Sequence, residues 1–252
     1  MPSTLSSASG PTSGARTLSS LTTRDRQILL DLAAVGLCPP VLLQRRFFSS
    51  AGRARQRLHD LESRGLVESL PVSPTATPRH VRRYVALSPA GLAVVRDLGG
   101  PQLDTALIRY AAVHAASVEA VAEAYFSLPT GDTWAGEWTL RPSLLPRRNV
   151  SGPGDVWALA KHPDNRRSLA FDLDLPGRSL AQVSARLDSW AQYHDAGSPG
   201  RVVYVSTDPA RRDRIDSRIV ATGYAAWLHT GHPALTLRQY FGLSASAAEG
   251  DA

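Results

Sequence analysis

Residues 49 to 67 constrain the fold of this chain more than any other stretch, because they specify both ends and one face of a short helix. Ser49 or Ser50 can cap its start, since a side-chain oxygen there accepts a hydrogen bond from the first free backbone N–H groups. Gly65 stands where the helix must end, since glycine adopts the left-handed conformation of a C-cap at low cost. The apolar residues recur three or four positions apart and form one stripe: Ala51, Ala54, Leu58 and Leu61. The pattern therefore predicts a helix that is buried on one side.

The other side of this predicted helix carries arginine and glutamine. Arg53, Gln56 and Arg57 lie opposite the stripe, and Arg55 lies at its flank. Arginine can donate two hydrogen bonds to O6 and N7 of guanine, and glutamine can pair in the same way with N6 and N7 of adenine. A solvated surface helix can carry such residues too. The segments before and after it favour a DNA recognition helix.

Two further helices are predicted before this one, within a domain over residues 18–100. Thr22 and Asp25 have the spacing of a capping box and begin a first helix. The proline pair at 39 and 40 can open a second, short helix over residues 41–46, because proline is tolerated in a first turn. The recognition helix is then the third helix of the domain.

A hairpin and a fourth helix complete the predicted domain. Residues 66–70 and 81–87 form two strands around a basic, proline-rich tip, and Ser88 caps the helix that follows. Three helices followed by a hairpin with a basic tip are typical of a winged helix-turn-helix, in which the third helix enters the major groove and the wing contacts the backbone or minor groove. The residues predicted to bind DNA are Arg45, Arg46, Ser50, Arg53, Arg55, Gln56, Arg57, Arg79, His80, Arg82 and Arg83.

Positive charge is concentrated in the N-terminal third of the chain. Residues 16–96 hold 13 arginines against five acidic residues, whereas the remainder holds 15 basic residues against 17 acidic ones. This distribution is expected of a surface that binds double-stranded DNA. Lys161 is the only lysine, so arginine is the default cation and a single arginine carries little functional information.

Cysteine and apolar content limit the other classes of function. The single Cys38 excludes an internal disulfide and a multi-cysteine zinc site, and it indicates a reducing compartment. No basic segment followed by an apolar run begins the chain, and no apolar stretch reaches the length of a membrane span. We therefore expect a cytoplasmic protein with no membrane partner and no cofactor.

The rest of the chain is predicted to form a connecting helix and an α/β domain, so that the fold class is α+β. Residues 1–17 and 244–252 are small and polar and predict flexible tails. Residues 101–130 contain an alanine-rich helix over 104–127, which we expect to be the seam of a homodimer. Residues 131–243 form the α/β domain. Its predicted elements are strands at 134–140, 155–159, 168–175, 201–206 and 225–228, and helices at 179–193 and 208–222.

Three stretches carry a resemblance to a known family. They are residues 21–25 with 61–67, residues 84–91, and Gly154-Asp155 with Phe171-Asp172-Leu173-Asp174 and the helix around Arg186. From about residue 21 to residue 205, the arrangement resembles the replication-relaxation family of bacterial plasmid and mobile-element proteins. The resemblance implies DNA binding in plasmid or mobile-element replication, mobilisation or transcriptional control. It also implies that the C-terminal domain is a degenerate restriction-endonuclease-like core.

An active core of that type places one Asp on a first strand, and an acid and a Lys two positions apart on the next. Asp155 and Asp172 match the acids, but Asp174 occupies the position of the lysine. Arg186 can supply positive charge, although arginine stays protonated and cannot exchange a proton as lysine can. We expect no catalytic residues and no metal, with Asp172 and Asp174 on one solvated strand face. Two alternatives stay open: a Mg²⁺-dependent nuclease or nickase that uses Asp155, Asp172, Asp174 and Arg186, and a cation-binding remnant at Asp155 and Asp172.

Overall fold

A computed structural model describes residues 20–72, 82–100, 108, 112, 115–128, 137–142, 156–161, 168–174, 178–195, 200–206 and 208–241. These residues form an α+β fold with two small sheets. The helices are α1 Thr23–Val35, α2 Pro40–Phe47, α3 Ala51–Ser63, α4 Pro89–Asp97, α5 Ala115–Phe126, α6 Leu180–Asp195, α7 Pro209–Ala221 and α8 Pro233–Phe241. The strands are β1 Leu37–Cys38, β2 Val67–Val72, β3 Arg82–Leu87, β4 Glu137–Pro142, β5 Val156–Lys161, β6 Ser168–Leu173, β7 Arg201–Val205 and β8 Leu228–Thr230. Both predicted tails, 1–17 and 244–252, lie outside the described residues.

The sequence signals that begin the first helices are confirmed. The Thr22 hydroxyl accepts from the backbone N–H of Asp25 at 3.2 Å, and the Thr22 N–H donates to the Asp25 carboxylate at 2.8 Å. This reciprocal pair is a capping box. Helix α2 begins at Pro40, as expected of a proline in a first turn.

Helix α3 has the cap, the end and most of the stripe that its sequence predicts. The Ser50 hydroxyl accepts from the backbone N–H of Arg53 at 3.4 Å, and Gly65 has a φ of 68° after the helix has ended. The buried side chains of the stripe are Ala54, Leu58 and Leu61. Ala51, in the first turn, is exposed, so the stripe begins one turn later than predicted.

A two-residue strand that the sequence analysis missed joins the predicted hairpin. In β1, Leu37 lies opposite Ala86, and Cys38 lies opposite Val85. Strand β3 also pairs with β2 in antiparallel register, which makes the strand order β1-β3-β2. Residues 84–87 of β3 are buried, as expected of a central strand. Strand β1 could not be predicted from the sequence, because two residues are too few to show a hydrophobic period.

Helix α4 packs directly against the turn that ends α3. The Ser88 hydroxyl caps α4 by accepting from the Gly91 N–H at 3.0 Å, and it donates to the backbone carbonyl of Gly65. A Cβ atom at Gly91 would lie 2.0 Å from the carbonyl oxygen of Leu66. Only glycine allows this approach of helix and turn.

The described side chains of helix α5 are buried or half-buried within the chain. Part of the helix predicted over 104–127 as the seam of a homodimer lies outside the described residues. The side chains of Ala115, Val118, Val121 and Ala122 are buried, and no side chain described between 115 and 128 is fully exposed. The helix packs against α8, β1, α1 and α2. Its small residues permit close approach of elements from the same chain, and the dimer seam stays a prediction.

The second sheet has strand order β4-β5-β6-β7-β8. Strands β4, β5 and β6 are antiparallel to one another, whereas β7 and β8 run parallel to β6. Helices α6 and α7 supply the two crossovers that parallel strands require. The predicted strands at 155–159, 168–175 and 201–206 are confirmed as β5, β6 and β7.

The two faces of this sheet belong to different hydrophobic clusters. Ala170 of β6 packs with side chains of α6 and α7, including Trp190 and Ile215. Phe171, on the opposite face, belongs to a contiguous cluster that runs from Leu21 to Val205 and includes α5. The predicted DNA-binding domain and the predicted α/β domain thus share one hydrophobic core.

The C-terminal elements differ from the prediction in two places. The last strand begins at Leu228, after a 3-10 turn at Tyr224–Ala226, where the prediction had begun a strand at residue 225. Helix α8 was not predicted; its Ala234 and Tyr240 pack against the large cluster. Within the part of the chain that the structure describes, no helix is both long enough and apolar enough to cross a bilayer.

Candidate nucleic-acid interface

The outer face of α3 presents predicted base-contacting side chains to solvent. Five members of the predicted DNA-binding set are exposed around this helix: Arg45, Ser50, Arg53, Arg55 and Gln56. The Gln56 amide donates to the Asp60 carboxylate at 3.1 Å, one turn further along the helix. Among the described residues, neither Arg53 nor Arg55 forms an ion pair. Both guanidinium groups are therefore available to an external anion.

Arg57 is bound to the first helix, where the sequence analysis expected it to project freely. Its Nε donates to Oδ1 of Asp25 at 2.7 Å, its Nη2 donates to Oδ2 of the same residue, and its Nη1 lies 3.7 Å from Asp60. Asp25 is fully buried, and 29% of the Arg57 side chain is exposed. Arg57 thus joins α3 to α1, and a contact between Arg57 and a base stays a prediction.

The Asp25 carboxyl is stabilised in its charged form by these partners. Burial by itself raises the pKa of Asp25, but the hydrogen bonds from Arg57 and Thr22 outweigh it, so that the pKa lies below its usual value. The same hydrogen bond raises the pKa of Arg57. The pair is therefore fully ionised at neutral pH.

Arg46 is largely buried, which corrects the prediction that it contacts DNA. Its Nε lies 3.0 Å from Oδ2 of Asp31, its Nη1 donates to the carbonyl of Leu128 at 3.1 Å, and only 12% of its side chain is exposed. The guanidinium also lies 5.6 Å from the ring centres of Tyr125 and Phe126. The fully buried Asp31 needs a countercharge, and Arg46 supplies it by joining α2 to α1 and α5.

The hairpin contributes two exposed arginines. Arg82 and Arg83 are exposed at the start of β3. An Arg82 nitrogen lies 3.5 Å from Glu119 on α5, and the Tyr84 hydroxyl donates to the same carboxylate. The loop end of the hairpin is thereby connected to α5, while 61% of the Arg82 side chain stays exposed. The predicted contacts Arg79 and His80 lie outside the described residues.

The structure adds two residues to this surface. Arg24 is exposed in the first turn of α1, and its guanidinium lies 5.3 Å from the ring centre of Phe48. His59 is exposed on α3, three residues after Gln56 and therefore on the same helix face. The spacing from Gln56 could have indicated His59. Arg24 could not be found in this way, because its position beside α3 depends on the packing of α1.

Asp172 lies in a buried ion pair on the sheet. Its Oδ2 accepts from Nε of Arg186 at 2.6 Å and from the Trp190 indole, and its Oδ1 accepts from Nη2 of Arg186 at 3.0 Å. Asp172 is fully buried, and 9% of the Arg186 side chain is exposed. The expectation of a solvated strand face is therefore wrong, because α6 covers it. Arg186 is bound by Asp172 and does not face solvent. A group that polarises phosphate or water would have to face solvent.

Asp174 has a second arginine as its partner. Arg211 donates to it through Nε and, at 2.9 Å, through Nη2, and the Ser206 hydroxyl donates at 3.0 Å. Asp172 and Asp174 lie on the same face of the sheet, as strand alternation predicts. Any cation at either carboxylate would have to displace an arginine. Asp155 lies outside the described residues, and the described residues contain no cluster of three or more metal-binding side chains.

No family model matches the chain, and no match is found among curated proteins or among solved structures. The contacts within the chain are therefore the basis for interpreting the outer face of α3 and the aspartates Asp172 and Asp174.

Proposed function

We propose that this protein binds double-stranded DNA through the exposed face of α3, and that it acts without enzymatic activity. The observation that carries the proposal is the pair Arg53 and Gln56, both exposed on a helix whose opposite side is buried. A helix fits the major groove, and these two residue types bond to base edges there. Arg57, bound to the buried Asp25, fixes the orientation of the helix.

The elements around α3 support a winged helix-turn-helix. Three helices are followed by the hairpin of β2 and β3, with β1 completing a small sheet. In that arrangement the third helix enters the major groove, and the hairpin contacts the backbone. Arg82 and Arg83 stand where such a contact is needed, and Arg45 and Arg55 add positive charge beside α3.

The biological process is proposed from the resemblance alone. From the resemblance to the replication-relaxation family, we propose that the protein acts in plasmid or mobile-element replication, mobilisation or transcriptional control. We also propose a homodimer, because two half-sites increase affinity where a single module buries little surface. The helix predicted over 104–127 stays the proposed seam, although the described side chains of α5 are buried or half-buried. Light scattering together with footprinting tests this part: a monomer that protects one half-site would contradict it.

DNA binding is tested by recovering genomic fragments at physiological salt and measuring affinity on the enriched duplex. Arg53→Ala and Gln56→Ala should each weaken binding by about 1–3 kcal/mol and relax the sequence preference. Arg218→Ala is the matched control, because Arg218 is an equally exposed helical arginine on α7. Equal losses on enriched and random duplexes would contradict base contact by α3.

The absence of cleavage is tested with supercoiled and linear DNA in Mg²⁺ or Mn²⁺. Asp172 and Asp174 each bind an arginine, and no lysine accompanies them. Losing one electrostatic partner at a reacting phosphate slows catalysis about a hundredfold to a thousandfold, so we expect no appreciable cleavage. Cleavage by the wild type that disappears in Asp174→Asn would make this protein a nuclease.

A further inference from the structure

A groove of about 640 Å³ runs between the first turn of α1 and one side of α3. Residues 22–24 and Phe48 form one wall, and Arg53, Gln56 and Asp60 lie along the other. Arg53, Gln56 and Asp60 are three, then four, residues apart, so the groove follows the length of α3. It therefore borders the helix face that we propose to contact bases.

The groove contains two cations without an acidic partner among the described residues. Arg57 also lines it, and the carboxylates of Asp25 and Asp60 both lie beside this guanidinium. Arg24 and Arg53 both line the groove, and neither forms an ion pair with a described residue. Three arginines and these two aspartates leave a net charge of +1 at the open groove.

Arg24 is held in place by an aromatic ring rather than by a carboxylate. Its guanidinium lies 5.3 Å from the ring centre of Phe48, which is within the range of a cation–π contact. Such a contact orders the side chain and leaves its full charge and its N–H donors free. A guanidinium presented in this way suits a phosphate, to which it can donate two parallel hydrogen bonds.

We propose that the groove binds a backbone phosphate of the DNA strand that borders the major groove, with the Arg24 guanidinium as its donor. The inference rests on the proposed function and extends it to α1, which the sequence analysis left out of the interface. It makes Arg24 a contact that sets affinity and register on the duplex but carries no base preference.

The test compares wild type, Arg24→Gln and Arg96→Gln on enriched and random duplexes at several salt concentrations. Arg96 is an exposed helical arginine of α4, outside the groove, and serves as the matched control. Arg24→Gln should weaken binding to both duplexes equally and reduce the slope of log K against log salt by about 0.9. Circular dichroism should show equal melting temperatures, because Arg24 is exposed.

A neutral methylphosphonate, placed at one phosphate at a time, then identifies the partner. At one position the methylphosphonate should weaken DNA binding by the wild type and leave binding by Arg24→Gln unchanged. Three results would overturn the inference while leaving DNA binding intact. Arg24→Gln could bind DNA as Arg96→Gln does, or no methylphosphonate position could distinguish the wild type from Arg24→Gln. In the third, inorganic phosphate stabilises the wild type but not Arg24→Gln, while the two proteins bind DNA equally. The last result would assign the groove to a small anion. A wild type that binds no duplex would instead remove the proposed function itself.

Discussion

The outer arginines of α3 and the arginines packed over the second sheet have opposite environments. On α3, Arg53 and Arg55 are exposed and form no ion pair with any described residue. Over the second sheet, Arg186 of α6 and Arg211 of α7 each donate two hydrogen bonds to a buried aspartate. An arginine removed from water needs a carboxylate of this kind, because an unpaired buried charge is very costly. In this chain, the position of the buried aspartates decides which arginines are structural and which are free to bind a ligand.

The largest expected effect is the loss of the buried pair on the sheet. Asp172→Ala leaves Arg186 and the Trp190 indole without their acceptor, so the free energy of unfolding should fall by about 3–5 kcal/mol. Urea denaturation measures it. Asp213→Ala, at an exposed position of α7, should change stability by less than about 0.5 kcal/mol. If the two variants are equally stable, the ion pair does not hold the sheet and α6 together.

A smaller effect should separate two neighbouring arginines of α3. Arg57→Ala leaves Asp25 buried without its main partner and should lower the free energy of unfolding by about 2–3 kcal/mol. Arg53→Ala, one turn away and exposed, should leave stability within about 0.5 kcal/mol of the wild type while weakening DNA binding. The comparison fails if Arg57→Ala is as stable as Arg53→Ala.

The pH dependence of stability should distinguish two buried aspartates of α1. The pKa of Asp25 is lowered, so its stabilisation is present above the ordinary pKa of 3.8 and is lost as the pH falls through the still lower folded value. Burial raises the pKa of Asp31 despite Arg46, so the folded state gains relative stability as the pH falls through that raised value. The excess in free energy of unfolding of the wild type over Asp25→Asn should therefore shrink on acidification. Relative to Asp31→Asn, the free energy of unfolding of the wild type should instead increase. Urea denaturation at each pH measures both stability differences. The prediction is contradicted if the two differences change in the same direction as the pH falls.

The smallest effect is expected at the hairpin. Arg82→Ala should weaken binding to all sequences alike and reduce the salt slope by about one unit, because backbone contacts carry no base preference. Fluorescence anisotropy at several salt concentrations measures it. Glu119→Gln removes the acidic partner of Arg82 and should strengthen binding slightly. A sequence-dependent loss in Arg82→Ala would place this residue at a base instead.

The fold was predictable where the signal is local. The capping box at Thr22, the cap at Ser50 and the left-handed Gly65 each act within a few residues, and all are confirmed. Strand β1 was missed because it exists only by pairing with β3. Helix α5 was predicted as a helix, but its packing against elements of the same chain was not, because the composition of a face does not say which element covers it.

The candidate site was predictable in its residue types but not in its pairings. Asp25 and Arg57 are 32 residues apart, and Asp174 and Arg211 are 37 apart. No helical or strand period connects such positions, so the sequence could not show that Arg57 is engaged. The position of Arg24 beside Phe48 depends on tertiary packing in the same way.

The contact between α8 and α5 has a consequence for the order in which the chain folds. Helix α8, Pro233–Phe241, covers a helix that begins at Ala115 and ends at Phe126. Contacts between distant segments form late, whereas helices with local contacts form early, and synthesis proceeds from the N-terminus. On the ribosome, the three N-terminal helices can therefore assemble long before the last helix is made. The DNA-binding surface that we propose is therefore synthesised before the helix that completes the core beneath it.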